Sequence, residues 1–391
     1  MEIVLKKGRE DVLSRNHQWV FSGAIAKSDP KIIDGDFVKI VDFRGNTLAF
    51  GHFHYGSIAI RILGKKDQPV LADIFHEKLK SAFEYRKQTN FIENSSTNCF
   101  RLIHGEGDGL SGLIIDIYDT VAVIQCHTVG MHRSIDLIIN ILDNLFEGKL
   151  TTIYDKSRES LPDLYAKQIN NQFFKGNEES KWVVENGLKL EVNWVTGQKT
   201  GFFLDQRDNR NLINKYAKDK KVLNTFCYSG GFSLFALNSG AELVHSIDVS
   251  AKAIELCKKN IAANFPDNTN HAEYEADVMT WLKDNKQIYD LIVVDPPAFA
   301  KSIDKRHNAV QAYKRLNMFA IQSLAKNGII FTFSCSQVVD KQLFYDTIVA
   351  AAIETKRNIR VLHFLNQPPD HPINIYHPEG SYLKGLVIYV E

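Results

Sequence analysis

Two short apolar runs in the second half of the chain end on residues that can do chemistry. LIVVD closes in Asp295-Pro296-Pro297-Ala298-Phe299, and GIIFTFS closes in Ser334-Cys335-Ser336. In an open α/β sheet, reactive groups collect at the carboxyl ends of strands, so both runs would deliver an acid and a thiol to one edge. The two prolines stiffen the backbone and donate no N–H, which leaves carbonyl acceptors facing outward. Such a loop, followed by an aromatic, suits a planar base bearing an amino group. Cysteine and aspartate together suit methylation of a cytosine at C5. A thiolate adding to C6 makes C5 enamine-like, the acid holds N3 protonated as charge develops, and a base then removes the C5 proton so that the thiol can leave. The plainer reading of Cys335 is a small buried hydrophobe, the common fate of a free cysteine.

A methyl donor has its own signature upstream. The run Lys221–Phe226 leads into Cys227-Tyr228-Ser229-Gly230-Gly231 and then a helical FSLFALNSGA. A glycine-bearing first βα turn lets the backbone approach a ligand closely, which puts Phe226, Tyr228, Ser229 and Gly230 against it. The next run ends at Asp248, placed to accept both ribose hydroxyls, and Asp277 with Val278 follows where an adenine would lie. GxGxxG is absent and no Lys or Arg follows the turn, so a pyrophosphate is disfavoured. A nucleoside cofactor without phosphates remains: S-adenosylmethionine. The alternative is a Gly-Gly turn that only packs helix on sheet. In TGQKTGFFLDQRDNR (196–210), Asp205, Gln206 and Arg207 are placed to meet the amino-acid end of the cofactor, as is Arg210; the plain alternative is a solvated helix face. Phe202 and Phe203 read as core.

The elements that must hold these residues are legible in outline. Residues 1–73 carry FVKIVDF, TLAFGHF and IAIRILG, closely spaced strands that predict a small barrel. A helix follows over 74–90, then a hairpin of Leu113–Ile117 and Val121–Cys126, then a helix over 132–145. Residues 170–180 read as a linker. Beyond Gly187, apolar runs alternate with helical patterns, which predicts βαβ units and a parallel sheet. The expected division is therefore 1–73, 74–185 and 186–391. The first part carries 11 basic and 9 acidic residues and residues 76–185 carry 12 and 16, so phosphate contacts must come from local patches such as Lys6, Lys7, Arg9 and Arg15, or Lys301, Lys305 and Arg306. The whole chain of 391 residues is nearly neutral, at +1. No apolar run approaches the roughly 20 residues a bilayer requires, and the N-terminus lacks a signal-peptide pattern. Five scattered cysteines without a CxxC pair argue against a zinc site or disulfide framework and fit a reduced, cytoplasmic protein. Cys99, Cys126, Cys227 and Cys257 read as structural, and no metal is expected.

TGQKTGFFLDQRDNR, NTFCYSGGFSLFA, DPPAFAKS and FSCS together resemble the bacterial 23S rRNA cytosine-C5 methyltransferases that carry an N-terminal PUA domain. HGEGDGLSGLIID (104–116) and HPEGSYLKG (377–385) are similar to the same family, so the resemblance spans nearly the whole chain. It implies an α/β protein of three parts: a PUA-like β-barrel that binds RNA, an α+β middle domain and a Rossmann-like methyltransferase domain. It also implies that Cys335 corresponds to the nucleophile and Asp295 to the acid, with 23S rRNA or a large-subunit precursor as partner and a homodimer as a further option. DPPAF also resembles the signature of amino-group methyltransferases, and relatives that methylate guanine N7 share the DPP block. Transfer to another base atom, with Cys335 a bystander, therefore stays open, as does an inactive RNA-binding accessory protein.

Overall fold

The computed structural model describes residues 1–300 and 302–391. By packing the chain forms two compact units, each assembled from more than one stretch. The first comprises Met1–Val183, Val192–Leu204 and Pro369–Gly380; the second comprises Val184–Glu191, Asp205–Pro368 and Ser381–Glu391.

In the first unit, the N-terminal strands form a six-stranded sheet in the order Trp19–Phe21, Ile58–Lys65, Thr47–Phe53, Phe37–Val41, Glu2–Leu5, Ile25–Ser28. Its neighbours run antiparallel except Glu2–Leu5 beside Phe37–Val41. Alternating residues Ile3, Leu5, Val38, Ile40 and Ile60 fill its core. A five-stranded sheet follows, built on the antiparallel pair Leu113–Tyr118 and Val121–Cys126. The helices Leu71–Gln88 and Ile135–Leu145 share a core with that sheet through Phe75, Leu79, Ile138 and Leu142. The stretch 170–180, expected as a linker, instead contributes the strand Gln172–Lys175, which pairs with Thr152–Asp155 at the sheet edge. Its Phe-Phe pair supplies the apolar contact that a polar flank concealed, with Phe173 lying 4.6 Å from the Tyr154 ring.

The stretches 192–204 and 369–380, expected within a continuous C-terminal domain, pack with the first unit, and polar anchors explain why. Arg86, fully buried, forms a two-pronged ion pair with Asp108 and donates to the carbonyls of Arg101 and Asp370. Asp370 in turn accepts from the Arg101 amide at 2.9 Å. Thr200 donates to Asp116, which also takes both prongs of Arg101 at 2.7 and 2.8 Å. Buried charges must be paired, so these contacts fix the returning segments.

The second unit is a seven-stranded sheet. Its strands are β1 (Lys221–Thr225), β2 (Leu243–Asp248), β3 (His271–Glu275), β4 (Tyr289–Val294), β5 (Leu324–Ser334), β6 (Ile359–Leu365) and β7 (Lys384–Val390). They lie in the order β3-β2-β1-β4-β5-β7-β6, with β7 antiparallel to both neighbours. Helices α1 (Gly231–Asn238), α2 (Ala251–Asn264), α3 (Val278–Asp284), α4 (Arg306–Gln322) and α5 (Lys341–Thr355) connect them. The central strands are buried on both faces, as Leu223, Ile292, Val293, Val294 and Ile330 show, which is why they read as unbroken apolar runs. Ser250, Asp277 and Asp340 cap α2, α3 and α5 by accepting from the amide three residues on.

Candidate functional site

Strand order reverses between β1 and β4, and at such a switch point an open α/β sheet leaves a crevice at its carboxyl edge. The register converges there. Thr225 of β1 lies opposite Ile247 of β2 and Val294 of β4, and Val294 lies opposite Thr332 of β5. Phe226, Asp248, Asp295 and Cys335 therefore leave the sheet at the same end.

The turn after β1 is tightly wound. Phe226, Tyr228 and Gly230 all adopt left-handed backbone, at φ +55°, +46° and +76°. A Cβ on Gly230 would come 2.5 Å from the Cys257 sulfur, so both φ and space require glycine. Asp248 holds the turn by accepting from the Tyr228 amide at 3.0 Å through one oxygen and from the Ser250 amide at 3.0 Å through the other. Asn260 of α2 donates to the Ser229 carbonyl at 2.9 Å. Two non-glycine residues at positive φ store strain of the kind that persists at ligand sites. Asp248 is only half-buried, so it retains lone pairs for a diol. Asp277 is exposed and spends one oxygen on the Thr280 amide at 2.9 Å, leaving the other free to act; Val278 beside it is buried.

Beyond the ends of β4 and β5, Gln206 donates to Asp295 Oδ1 at 3.0 Å and accepts from Asn209 at 2.6 Å. Tyr382 donates to Asp205 Oδ2 at 2.7 Å, while Asp205 Oδ1 is buried with no hydrogen-bond partner. Burial first, and the charge of Asp205 second, push the Asp295 carboxyl up to about 7. Burial, then Asp295 and Asp205, push the Cys335 thiol up to about 11. Lys384, pulled down to about 8 by burial, donates to the carbonyls of Ser336 at 2.6 Å and Tyr382 at 2.9 Å. Phe299 of the DPP loop packs at 4.7 Å on Tyr313 of α4.

The structure thus groups Asp205, Gln206, Asp295 and Cys335 at one end of the sheet. Arg207 and Arg210 were expected at the amino-acid end of the cofactor, with a solvated helix face as the plain alternative, and that alternative does not hold: both are buried, Arg210 grips Glu185 with two bonds of 2.7 and 2.8 Å, and Arg207 Nε lies 3.7 Å from the same carboxylate. Their charge is committed to Glu185, a residue that nothing in the local sequence singles out. Lys384 and Tyr382 were likewise missed, although HPEGSYLKG contains both. Phe202 is core, as expected. Cys227 and Cys257 are buried beside the turn. Of the basic candidates, Lys6, Lys7, Arg9, Arg15, Lys305 and Arg306 are exposed, and Lys301 lies outside the described residues.

A reversed-order Rossmann-like sheet with a strained glycine turn, an acid at the end of β2 and, among the described residues, no GxGxxG turn after β1 is a frame suited to a nucleoside cofactor. The family model for S-adenosylmethionine-dependent methyltransferases matches residues 101–386, and that for PUA-like domains matches 3–65. The chain is 37% identical over 394 residues to the ribosomal RNA large subunit methyltransferase I of Aeromonas salmonicida, covering 99% of this chain and 98% of that protein. It is 38% identical over 395 residues to its namesake from Aeromonas hydrophila, at the same coverage. Among solved structures, a protein described as a SAM-dependent methyltransferase from Streptococcus mutans superposes over both full chains with a TM-score of 0.85 at 24% identity. Another, a methyltransferase complexed with SAH, does so with a TM-score of 0.86 at 24% identity. The chain belongs to the S-adenosylmethionine-dependent methyltransferase family and carries a PUA-like domain at its N-terminus. Among the described residues, no helix is long and apolar enough to cross a membrane.

The residues present fit that cofactor. The buried Asp205 Oδ1 lacks a hydrogen-bond partner, and Asp248 is only half-buried at the end of β2, so both offer carboxylate oxygens to a ligand. When bound, S-adenosylmethionine supplies a methyl group from its sulfonium.

Proposed function

We propose that this enzyme methylates large-subunit ribosomal RNA at C5 of a cytidine, with Cys335 as nucleophile and Asp295 as acid. The names of its relatives support the substrate, and one observation carries the chemistry: an acid that titrates near pH 7 stands beside a thiol at the ends of adjacent strands. Asp248 and the turn Phe226–Gly230 hold the ribose and methionine of the cofactor, Asp277 and Val278 border its adenine, and Asp205 and Gln206 meet its amino-acid end. The target cytidine leaves its stack to reach this edge.

In the forward reaction, the Cys335 sulfur bonds to C6 while the C5–C6 π pair shifts to C5, and Asp295 keeps a proton at N3. A carboxyl near 7 gives up and recovers a proton at little cost, so it serves both adduct formation and reversal. After C5 has taken the methyl, a base removes the C5 proton, the C5–C6 double bond re-forms and the sulfur leaves as thiolate. The resting thiol, pushed up to about 11, must lose its proton only when substrate is in place. That same raised value favours a second reading, transfer to a base nitrogen with Cys335 a bystander.

Incubating undermethylated rRNA with the enzyme and labelled cofactor, then identifying the modified nucleoside by mass spectrometry, decides between them. 5-Methylcytidine is expected; a methylated amino group or N7-methylguanosine overturns the C5 reading. The division into domains 1–73, 74–185 and 186–391 stays with this proposal as its functional partition, and a homodimer is left to a sizing measurement of the free enzyme.

A further inference from the structure

We propose that His17, His377 and Glu379 form a binding site for a divalent transition ion, zinc by its donor chemistry, within the first unit. Two imidazoles and a carboxylate present one ligand atom each, all within 4.8 Å of one another. His17 Nε2 lies 3.3 Å from Glu379 Oε1, and the two imidazole rings stand 4.8 Å apart.

The second observation is an unsatisfied donor atom. His377 is 1% exposed, and its Nδ1 has no hydrogen-bond partner, lying 3.6 Å from Glu379 Oε2. A buried polar nitrogen left so is costly, and a metal ion would satisfy it. The backbone of Trp19 holds the His17 ring in place: its amide donates to Nδ1 at 3.2 Å and its carbonyl lies 3.3 Å from the same atom, which leaves Nε2 facing the cluster. Trp19 packs edge-on against His377 at 4.3 Å and is itself held by Glu106 through its indole N–H at 2.9 Å.

Two histidines and one carboxylate suit zinc, and three protein ligands leave a fourth position open to water or an external oxygen donor. Zinc–ligand bonds of about 2.0–2.2 Å require the three atoms to draw together slightly. The ion would tie the HPEG segment, which returns from a distant part of the chain, to the N-terminal strand region.

The test uses the full chain stripped with chelator and dialysed against zinc alone, with bound metal measured by atomic emission. One zinc per chain is expected. His377→Ala and Glu379→Gln should each weaken binding roughly tenfold or more, whereas His76→Ala, on an exposed helix face, should not change it. Glu379 is half exposed, so its variant should fold even if removal of His377 does not allow it. Substituting cobalt should give the visible absorption of a tetrahedral site in the wild type, lost in Glu379→Gln. No stoichiometric metal, or binding unaffected by both substitutions, overturns the proposal.

Discussion

Gln206 donates its side-chain amide to Asp295 at 3.0 Å, so the residue at the head of the second unit steadies the acid at the end of β4. The bond favours the carboxylate, yet burial and Asp205 outweigh it, and the group still titrates near 7. The balance has a consequence for stability. The ordinary carboxyl value is 3.8, below the folded one, so the folded state binds the proton more tightly. Stability from this group is present below about pH 4 and is lost as pH rises through about 7. Asp295→Asn, which cannot ionise, should therefore gain on the wild type as pH rises. Melting temperatures of both at about pH 5 and pH 8 check this; a difference that does not change with pH counts against it.

The pairing of Arg210 and Arg207 with Glu185 predicts a large structural effect. All three side chains are buried, and removing the carboxylate takes away the acid that the two guanidinium groups share. Breaking a buried pair by deleting one partner costs about 3–5 kcal/mol. Glu185→Ala should lower the urea midpoint accordingly, more than Glu191→Ala, whose partner Lys259 is half exposed. Equal effects would show that the buried cluster is not what it looks like.

How much of this was legible depended on the range of the contacts. Asp248, Asp295 and Cys335 stand out because each ends an apolar run whose burial on both faces forces a continuous pattern. Their shared edge follows from the parallel register alone. Glu185 could not be found this way, since its importance comes from arginines 22 and 25 residues further on and from burial that no local period encodes. The strand Gln172–Lys175 was hidden by polar neighbours, since one edge pairing is all that defines it. The return of 369–380 to the first unit rests on Arg86 and Arg101 reaching 284 and 269 positions along the chain. HGEGDGLSG carries no local sign of its partners, which are distant in sequence: Glu106 accepts from Trp19 and Arg61, and Asp108 from Arg86.

Asp248 should anchor the cofactor. Charge-assisted hydrogen bonds are worth roughly 1.5–3 kcal/mol, so Asp248→Ala should weaken S-adenosylmethionine binding by about that much in calorimetry. Because Asp248 also holds the Tyr228 and Ser250 amides, Asp248→Asn should recover part of the turn but not the charge, and fall between. Unchanged affinity in the alanine variant sinks the assignment.

RNA binding should be steeply salt-dependent although the chain is nearly neutral. Lys6, Lys7, Arg9 and Arg15 are exposed near the N-terminus, and Lys7 and Arg44 flank the exposed ring of Phe43 at 5.6 and 5.1 Å. Each phosphate neutralised should lower log K by roughly 0.7–0.9 per tenfold rise in salt. Replacing Lys7 and Arg9 together should reduce that slope; an affinity for rRNA fragments that ignores salt rules out these patches.

Cys335 separates C5 chemistry from the alternatives most sharply. If its sulfur attacks C6, RNA carrying 5-fluorocytidine at the target should become covalently attached, because fluorine cannot be removed as a proton and the adduct persists after methyl transfer. Cys335→Ala should abolish both the denaturant-resistant complex and turnover while leaving cofactor affinity nearly intact, since the thiol lies past β5 and the ribose anchor past β2. Asp295→Ala should slow adduct formation by about 10²–10³, the usual loss when a group that stabilises developing charge is removed. Because the Cys335 thiol, at about 11, gains thiolate with rising pH while Asp295 loses its proton above about 7, the adduct rate should rise with pH up to about 7 and then level off. Base-nitrogen transfer predicts the reverse: an active Cys335→Ala enzyme and no complex. A fully active variant would sink the covalent mechanism and leave the methyltransferase standing.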